Sequence, residues 1–368
     1  MTTTAMVHEP DFQMWDPKLP KLQTAWDSVS LGALMKCPRY YQYTIIEGIA
    51  QEKIDLEFGR LAASGFERYK KRRLEGVAKE AAMLDVIRWA LQETWHEDGT
   101  QDMGEWVEAW HCDGTEPFKN AKGNKAICPH AHKGAFELGV GPKACPLCGS
   151  HTTTSLQYIP EDTKKNRVSL LRALTWWMDD QPADLDDGVR PYAFPDGTFA
   201  VEHSFTIPLP KQTPSGVQYT LSGHLDDVSE FGLQHFIGDN KTTGQPIKKA
   251  EEGYSPHYQL DTYDLVGSIL WPDLIDGVMI DMTQMLTEGA KFGRKFLTKT
   301  EGLREEHWRT LDYYISQAEA YAEANWWPMN KAACWNCPFK EICSTDPAER
   351  HSFLNMMPRR EWNPLIPR

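Results

Sequence analysis

The 368 residues carry 39 basic and 52 acidic side chains, a formal charge of −13, with 41% hydrophobic content. That content suffices for one large domain or two modest ones, and the acidic balance argues against indiscriminate coating of nucleic acid while leaving room for a local basic groove. No apolar run approaches the ~18 residues of a membrane helix. The opening MTTTAMVHEPDFQMWDPK lacks the apolar core of a secretory signal, so a cytoplasmic protein is expected. Eight cysteines in such a chain point to metal sites rather than disulfides. The fourteen tryptophans are mostly core, with a few left for base stacking.

In chain order, residues 1–24 read as an extended arm. A helix follows within 25–46, capped by Ser28 or Ser30 and carrying Leu31, Leu34 and Met35 into Cys37-Pro38-Arg39-Tyr40-Tyr41. Residues 56–73 place Phe58, Leu61, Ala62, Phe66 and Tyr69 on one helical stripe that ends in Lys70-Lys71-Arg72-Arg73. That basic run is either a solvated face or a phosphate contact. Another helix spans 78–95, after which the periodicity breaks. Residues 111–154 are poor in apolar runs and hold four cysteines. Cys145-Pro146-Leu147-Cys148-Gly149 is a zinc-knuckle pattern. With Cys112 and Cys128 it makes a closed four-thiolate Zn²⁺ site, with His111, His130, His132 or His151 as substitutes for one thiolate. So apolar-poor a stretch needs a metal to fold.

Helical periodicity resumes over 161–181, and a strand over 199–209 includes Glu202. The centre of the chain is a hairpin, with strands over 218–229 and 233–242 around Glu230-Phe231-Gly232. Paired numbers are expected to sum to roughly 463, which sets Asp239 near His224 and diagonal to Asp226, with Lys241 on the same face as Asp239. Two carboxylates and an ammonium then converge. Hard oxygen ligands suit Mg²⁺ or Mn²⁺, a metal acidifies bound water, and a lysine can orient that water or help neutralise the phosphate. The bland alternative is a solvated hairpin, because D-x-K triplets recur by chance. A helix over 255–268 sets Gln259 and Tyr263 one turn apart. A strand over 277–284 and a basic cluster of Lys291, Arg294, Lys295 and Lys299 follow. A long helix over 305–327 leads to Cys334, Cys337 and Cys343, spaced C-x₂-C-x₅-C, and then to a polar tail.

Gly223-His224-Leu225-Asp226, Asp239-Asn240-Lys241-Thr242-Thr243 and Gln259-Leu260-Asp261-Thr262-Tyr263 together resemble the PD-(D/E)XK nuclease superfamily. The likeness is to its RecB-like branch, which includes CRISPR-associated RecB-like exonucleases and many phage nucleases. It implies an α/β, restriction-endonuclease-like core with a mixed central sheet flanked by helices. It also implies Asp226 and Asp239 as metal ligands, joined by the Asn240 carbonyl, with Lys241 catalytic and Gln259 and Tyr263 facing the site. Glu202 matches an acidic residue of the preceding strand. Cys37, Cys334, Cys337 and Cys343 match the ligands of a 4Fe–4S cluster, although spacing alone also admits zinc. There is one departure. Gly59 fits a G-x-x-x-H helix, but Ala63 stands where the histidine ligand belongs, leaving Ser64 or Glu67 as water-mediated substitutes.

The expected division is an arm (1–24), a nuclease domain (25–102 and 155–345), a zinc-binding insert (103–154) and a tail (346–368). The expected activity is Mg²⁺- or Mn²⁺-dependent DNA cleavage, as an exonuclease, in phage or mobile-element replication, recombination or processing. The partners implied are DNA and a recombination or replication protein, with no membrane. The alternatives are a catalytically weak DNA-binding module and a subunit of a larger helicase–nuclease. The chain has no GxxxxGK[ST] of its own.

Overall fold

The computed structural model describes residues 13–50, 54–95, 103–132, 136–181 and 188–366; the first twelve residues of the expected arm lie outside them. Strand β1 (Ala25–Trp26) and helix α1 (Ser28–Lys36) open the core, followed by α2 (Pro38–Tyr41), α3 (Ile54–Leu74) and α4 (Lys79–Glu93). The insert contributes β2 (Gly104–Cys112), β3 (Phe118–Lys119), β4 (Lys125–Ala126), β5 (Glu137–Leu138) and β6 (Thr152–Pro160). The core resumes with α5 (Arg167–Asp180), β7 (Val189–Pro191), β8 (Val201–Gln212), β9 (Gln218–Phe231) and β10 (Gln234–Thr243). It closes through α6 (Ile247–Glu252), α7 (Tyr258–Leu270), β11 (Gly277–Leu286), β12 (Gly289–Leu297), α8 (Glu301–Glu323), α9 (Lys340–Ser344) and α10 (Arg350–Leu354).

Among the described residues, seven strands form one mixed sheet ordered β1-β9-β10-β11-β12, with β7 and β8 also on β9. β10 runs antiparallel to β9 and parallel to β11. The parallel step is possible because α7 carries the chain back over one face. Two apolar layers sandwich the sheet. One joins Leu31 and Leu34 of α1, Leu260 and Val266 of α7, and Leu311 and Ile315 of α8 to Ile237, Val278 and Ile280 of the sheet. The other packs α3, α4 and α5 together through Phe58, Phe66, Val86, Leu170 and Trp177. No helix of the described residues is long and apolar enough to cross a membrane.

Several local expectations are corrected. The last stretch of the arm is not peripheral: Leu22 and Gln23 are fully buried, and Asp16 accepts hydrogen bonds from Thr213 and Ser215 across the fold. Asp27, not a serine, caps α1. Its carboxylate accepts from the Ser30 N–H at 2.9 Å while the Ser30 hydroxyl accepts from the Asp27 N–H, a reciprocal capping box. The tail, in keeping with a surface-packed Trp362-Asn363-Pro364 end, lies against this cap, with Trp362 Nε1 donating to Asp27 Oδ1 at 3.3 Å. The insert is entered and left by a ribbon that the break in periodicity concealed. β2 and β6 pair from Gly104↔Pro160 to Cys112↔Thr152, so β6 runs past the boundary expected at 154.

Candidate active site and metal centres

The β9–β10 hairpin turns through Gly232-Leu233, and Gly232 has φ 65°, which suits a residue without Cβ. The tighter turn moves the register by two from that expected: Phe231 pairs with Gln234 and Asp227 with Gly238. A shift of two preserves the face of every side chain, so Asp226 and Asp239 fall next to one another rather than diagonally. The regular β9–β10 ladder stops at Asp227↔Gly238. Beyond that point the Asn240 N–H donates to the Asp226 side chain, reaching Oδ2 at 3.0 Å. The strands part at the two carboxylates, and the site opens in the gap.

On its other edge β9 pairs with β8, with Val201↔Asp227 and His203↔Leu225. Glu202 therefore stands opposite Asp226, and three carboxylates occupy one cross-strand row. Glu202 has φ 53°, a left-handed conformation that costs a non-glycine residue about 1 kcal/mol or more and is found where a side chain must be re-aimed.

Lys241 Nζ donates to Asp239 Oδ1 at 3.0 Å and to Gln259 Oε1 at 3.0 Å. Gln259 Nε2 in turn donates to the Tyr263 hydroxyl at 3.0 Å. The expected α7 pair thus reaches the strand lysine in a continuous chain. Asp239 is 3% exposed, and burial raises its carboxyl to about 6 against the pull of Lys241, with Asp226 and Asp227 pushing the same way as burial. Burial works against the Lys241 charge, but Asp239 and Asp226 outweigh it, so the ammonium is held above its ordinary range. Asp239 Oδ2 lies 2.9 Å from the ammonium but is not aligned for a hydrogen bond, and it is buried without a hydrogen-bonding partner among the described residues. An under-satisfied buried carboxylate oxygen beside a second carboxylate suits a hard divalent cation. Tyr254 and His257 were not anticipated. Burial and then the Lys241 charge lower the His257 pKa, so this imidazole lies within the field of the site.

Asp227 faces the opposite side of the sheet. Its carboxylate pairs with Lys70 of α3 and accepts from the Ser229 hydroxyl at 2.6 Å. The basic run is split around the helix: Lys71 pairs with Glu67, Arg72 with Glu75 and Asp85, and Arg73 is buried. Ser64 and Glu67 line an open groove between α3 and α4 with Arg60, Arg68 and Asp85. In the second basic cluster, Arg294 pairs with Asp281 and Lys299 with Asp261, and Lys295 donates to the Glu251 carbonyl.

At the tip of the ribbon, one sulfur from each of Cys112, Cys128, Cys145 and Cys148 lies within 4.8 Å of the others. Cys112–Cys148 is 3.7 Å and Cys128–Cys145 is 3.8 Å. A tetrahedron of sulfurs at the usual Zn–S length has edges of about 3.8 Å, so the set fits zinc. Burial pushes the Cys112 thiol up to about 12, while the Ser150 hydroxyl draws Cys148 down to about 7. His130 supports the site rather than replacing a thiolate: Nδ1 is 3.4 Å from Cys145 Sγ and Nε2 is 3.3 Å from Glu137. Cys37, Cys334, Cys337 and Cys343 line a separate cavity with Arg39 and Phe339, between the end of α1 and the segment after α8. The chain ends are tied there by Arg39 Nε donating to the Trp327 carbonyl at 2.9 Å and by Asn330 Nδ2 donating to the Lys36 carbonyl at 2.9 Å.

A search of curated proteins finds no match to this chain. A family model for the PD-(D/E)XK nuclease superfamily matches residues 29–344, which span both core segments, the carboxylate hairpin, α7 and both cysteine sets. The chain belongs to the PD-(D/E)XK nuclease superfamily, whose members hydrolyse phosphodiester bonds in nucleic acid with divalent metals.

Proposed function

We propose that the protein is a Mg²⁺- or Mn²⁺-dependent deoxyribonuclease acting on DNA ends. The observation that carries the reading is the Asp226–Asp239 pair at the parting of β9 and β10, with Lys241 fixed between Asp239 and Gln259. Asp226 and Asp239 hold the cation, with the Asn240 carbonyl and Glu202 as further oxygen donors. The bound cation supplies charge stabilisation at the phosphate and a more acidic water. Lys241 remains protonated and offers its ammonium to the attacking water or a non-bridging oxygen. Gln259 keeps the flexible lysine chain in one rotamer, and Tyr263 orients the Gln259 amide. Hydrolysis adds one water across one P–O bond, and the departing oxygen takes up a proton.

Cys37, Cys334, Cys337 and Cys343 are read as ligands of a 4Fe–4S cluster. Their sulfurs surround a cavity rather than closing to the spacing of the insert cysteines, as expected when each thiolate binds a different iron. The insert cysteines are read as a structural zinc site.

Ala63 favours a second reading, in which the chain binds DNA and cuts poorly because the site has one ligand fewer. End-labelled linear DNA and covalently closed DNA, each with Mg²⁺ or Mn²⁺, separate the possibilities. Degradation of the linear form alone supports an exonuclease. Cutting of closed circles shows an endonuclease, and binding without cutting of either form supports the second reading.

A further inference from the structure

The insert carries a second charged element, unlike the rest of the chain. From Pro117 to His132 the sequence has three lysines, Lys119, Lys122 and Lys125, and no Asp or Glu, within a chain of net charge −13. β3 and β4 fold this stretch into a short finger in which Lys119 and Lys125 are direct cross-strand partners. Asn120 closes its turn by accepting from the Lys122 and Asn124 N–H groups at 3.0 and 3.1 Å. All three lysines are exposed, and among the described residues no carboxylate lies within ion-pair distance of them. Like charges placed directly opposite one another destabilise a hairpin. The basic clusters of α3 and β12 have their main charges paired internally, as Lys70, Arg72 and Arg294 are, and Lys299 just beyond β12 is paired as well. The finger is thus an outward positive field held at a local energetic cost.

The finger also has a defined place in the insert. It sits between Cys112 and Cys128, two sulfurs of the four-thiolate set, at the far end of the β2–β6 ribbon. The eight residue steps from Gly104↔Pro160 to Cys112↔Thr152 span about 27 Å at strand rise. The near end is tied to the end of β10: just past the ribbon, Lys164 Nζ donates to the carbonyl of Gly244, three residues beyond Lys241, at 3.1 Å.

We infer that the Lys119–Lys125 finger is a remote DNA-backbone clamp, contacting phosphates of duplex DNA several base pairs from the scissile bond. The inference rests on the nuclease reading only in taking DNA as the polyanion. Three neutralised phosphates contribute about −2.7 to the slope of log affinity against log salt. The finger should therefore account for a roughly 40-fold loss of affinity when salt rises fourfold.

The test uses fluorescein-labelled duplexes of about 40 and about 6 base pairs without Mg²⁺ or Mn²⁺, so binding is read apart from cleavage. The triple variant Lys119→Gln, Lys122→Gln, Lys125→Gln should lose about 2.7 of slope on the long duplex and nothing on the short one, with zinc content unchanged. In parallel, amine acylation of the wild-type protein, mapped by mass spectrometry, should show these three lysines protected by the long duplex. This second measurement does not depend on the variant folding. An unchanged slope, or equal acylation with and without duplex, overturns the clamp and points to a protein partner for the finger. Protection without cleavage under any metal keeps the clamp and removes the nuclease reading; cleavage without protection does the reverse.

Discussion

Lys241 Nζ lies 3.0 Å from Gln259 Oε1, so a residue of α7 fixes the position of an ammonium that belongs to β10. The strand lysine has four rotatable bonds, and the hydrogen bond removes that freedom before substrate arrives. Replacing Gln259 with Leu should lower kcat with little change in KM. A hydrogen bond to a charged group is worth about 1.5–3 kcal/mol, or roughly 10–150-fold in rate if it is fully expressed in the transition state. Gln259→Glu keeps an acceptor for Lys241 and should retain much more activity. Steady-state kinetics of the two variants, with circular dichroism to confirm folding, checks this.

Asp239 should set the acid limb of metal binding. Its carboxyl is raised to about 6 by burial, with Asp226 and Asp227 adding to the shift, and only the ionised form can bind a cation. Above pH 6 the carboxylate is ionised and affinity is on a plateau. Below pH 6 the ionised fraction falls, and Mn²⁺ affinity should drop about tenfold per pH unit. Calorimetric Mn²⁺ titrations from pH 5 to 8 read this directly. A flat profile across that range would show that Asp239 does not ligate.

Lys70 and Asp227 form a buried pair behind the site, with the Asp227 side chain 1% exposed. Lys70→Met leaves the carboxylate with only the Ser229 hydroxyl, and should cost about 3–5 kcal/mol in chemical denaturation. Adding Asp227→Asn should recover most of that loss by removing the stranded charge. Gly238→Ala should be destabilising for a related reason, because a Cβ there overlaps the Asp227 carboxylate that Lys70 and Ser229 hold in place.

Cys37→Ser should abolish the visible absorbance of anaerobically purified protein and lower iron from about four per chain. Zinc content should stay the same, because the insert cysteines form a separate set. Limited proteolysis should then cut within 331–366, where the described chain has few buried side chains beyond Phe339 and Leu354.

The carboxylates, the lysine and the α7 pair were legible because strand alternation and the helical turn fix which side chains share a face. A register error of two left those faces unchanged. Asp227 shows the converse. It follows Asp226 directly, and alternation alone sends it to the other side of the sheet, but its partner Lys70 lies 157 residues away and no local pattern announces the pair. The basic run 70–73 looked like one patch in sequence, yet successive helical residues point about 100° apart, so Lys70 and Arg73 face the cavity beside Trp177 while Lys71 and Arg72 face the groove between α3 and α4. The β2–β6 ribbon was missed because neither strand buries a regular apolar face: β2 alternates imperfectly, and most of β6 is exposed or half-buried. The clustering of Cys145 and Cys148, in contrast, could be read from spacing, because a knuckle is a local turn.

We propose that Asp226, Asp239 and Lys241 form a working phosphodiesterase centre with alanine at position 63. The most direct measurement is single-turnover cleavage of end-labelled linear DNA by anaerobically purified, metal-loaded protein, beside Lys241→Ala. Cleavage should require Mg²⁺ or Mn²⁺ and fall at least about a hundredfold in the variant, given the scale of such electrostatic contributions. Equal cleavage by both proteins, or DNA binding with no cleavage by either, would contradict it.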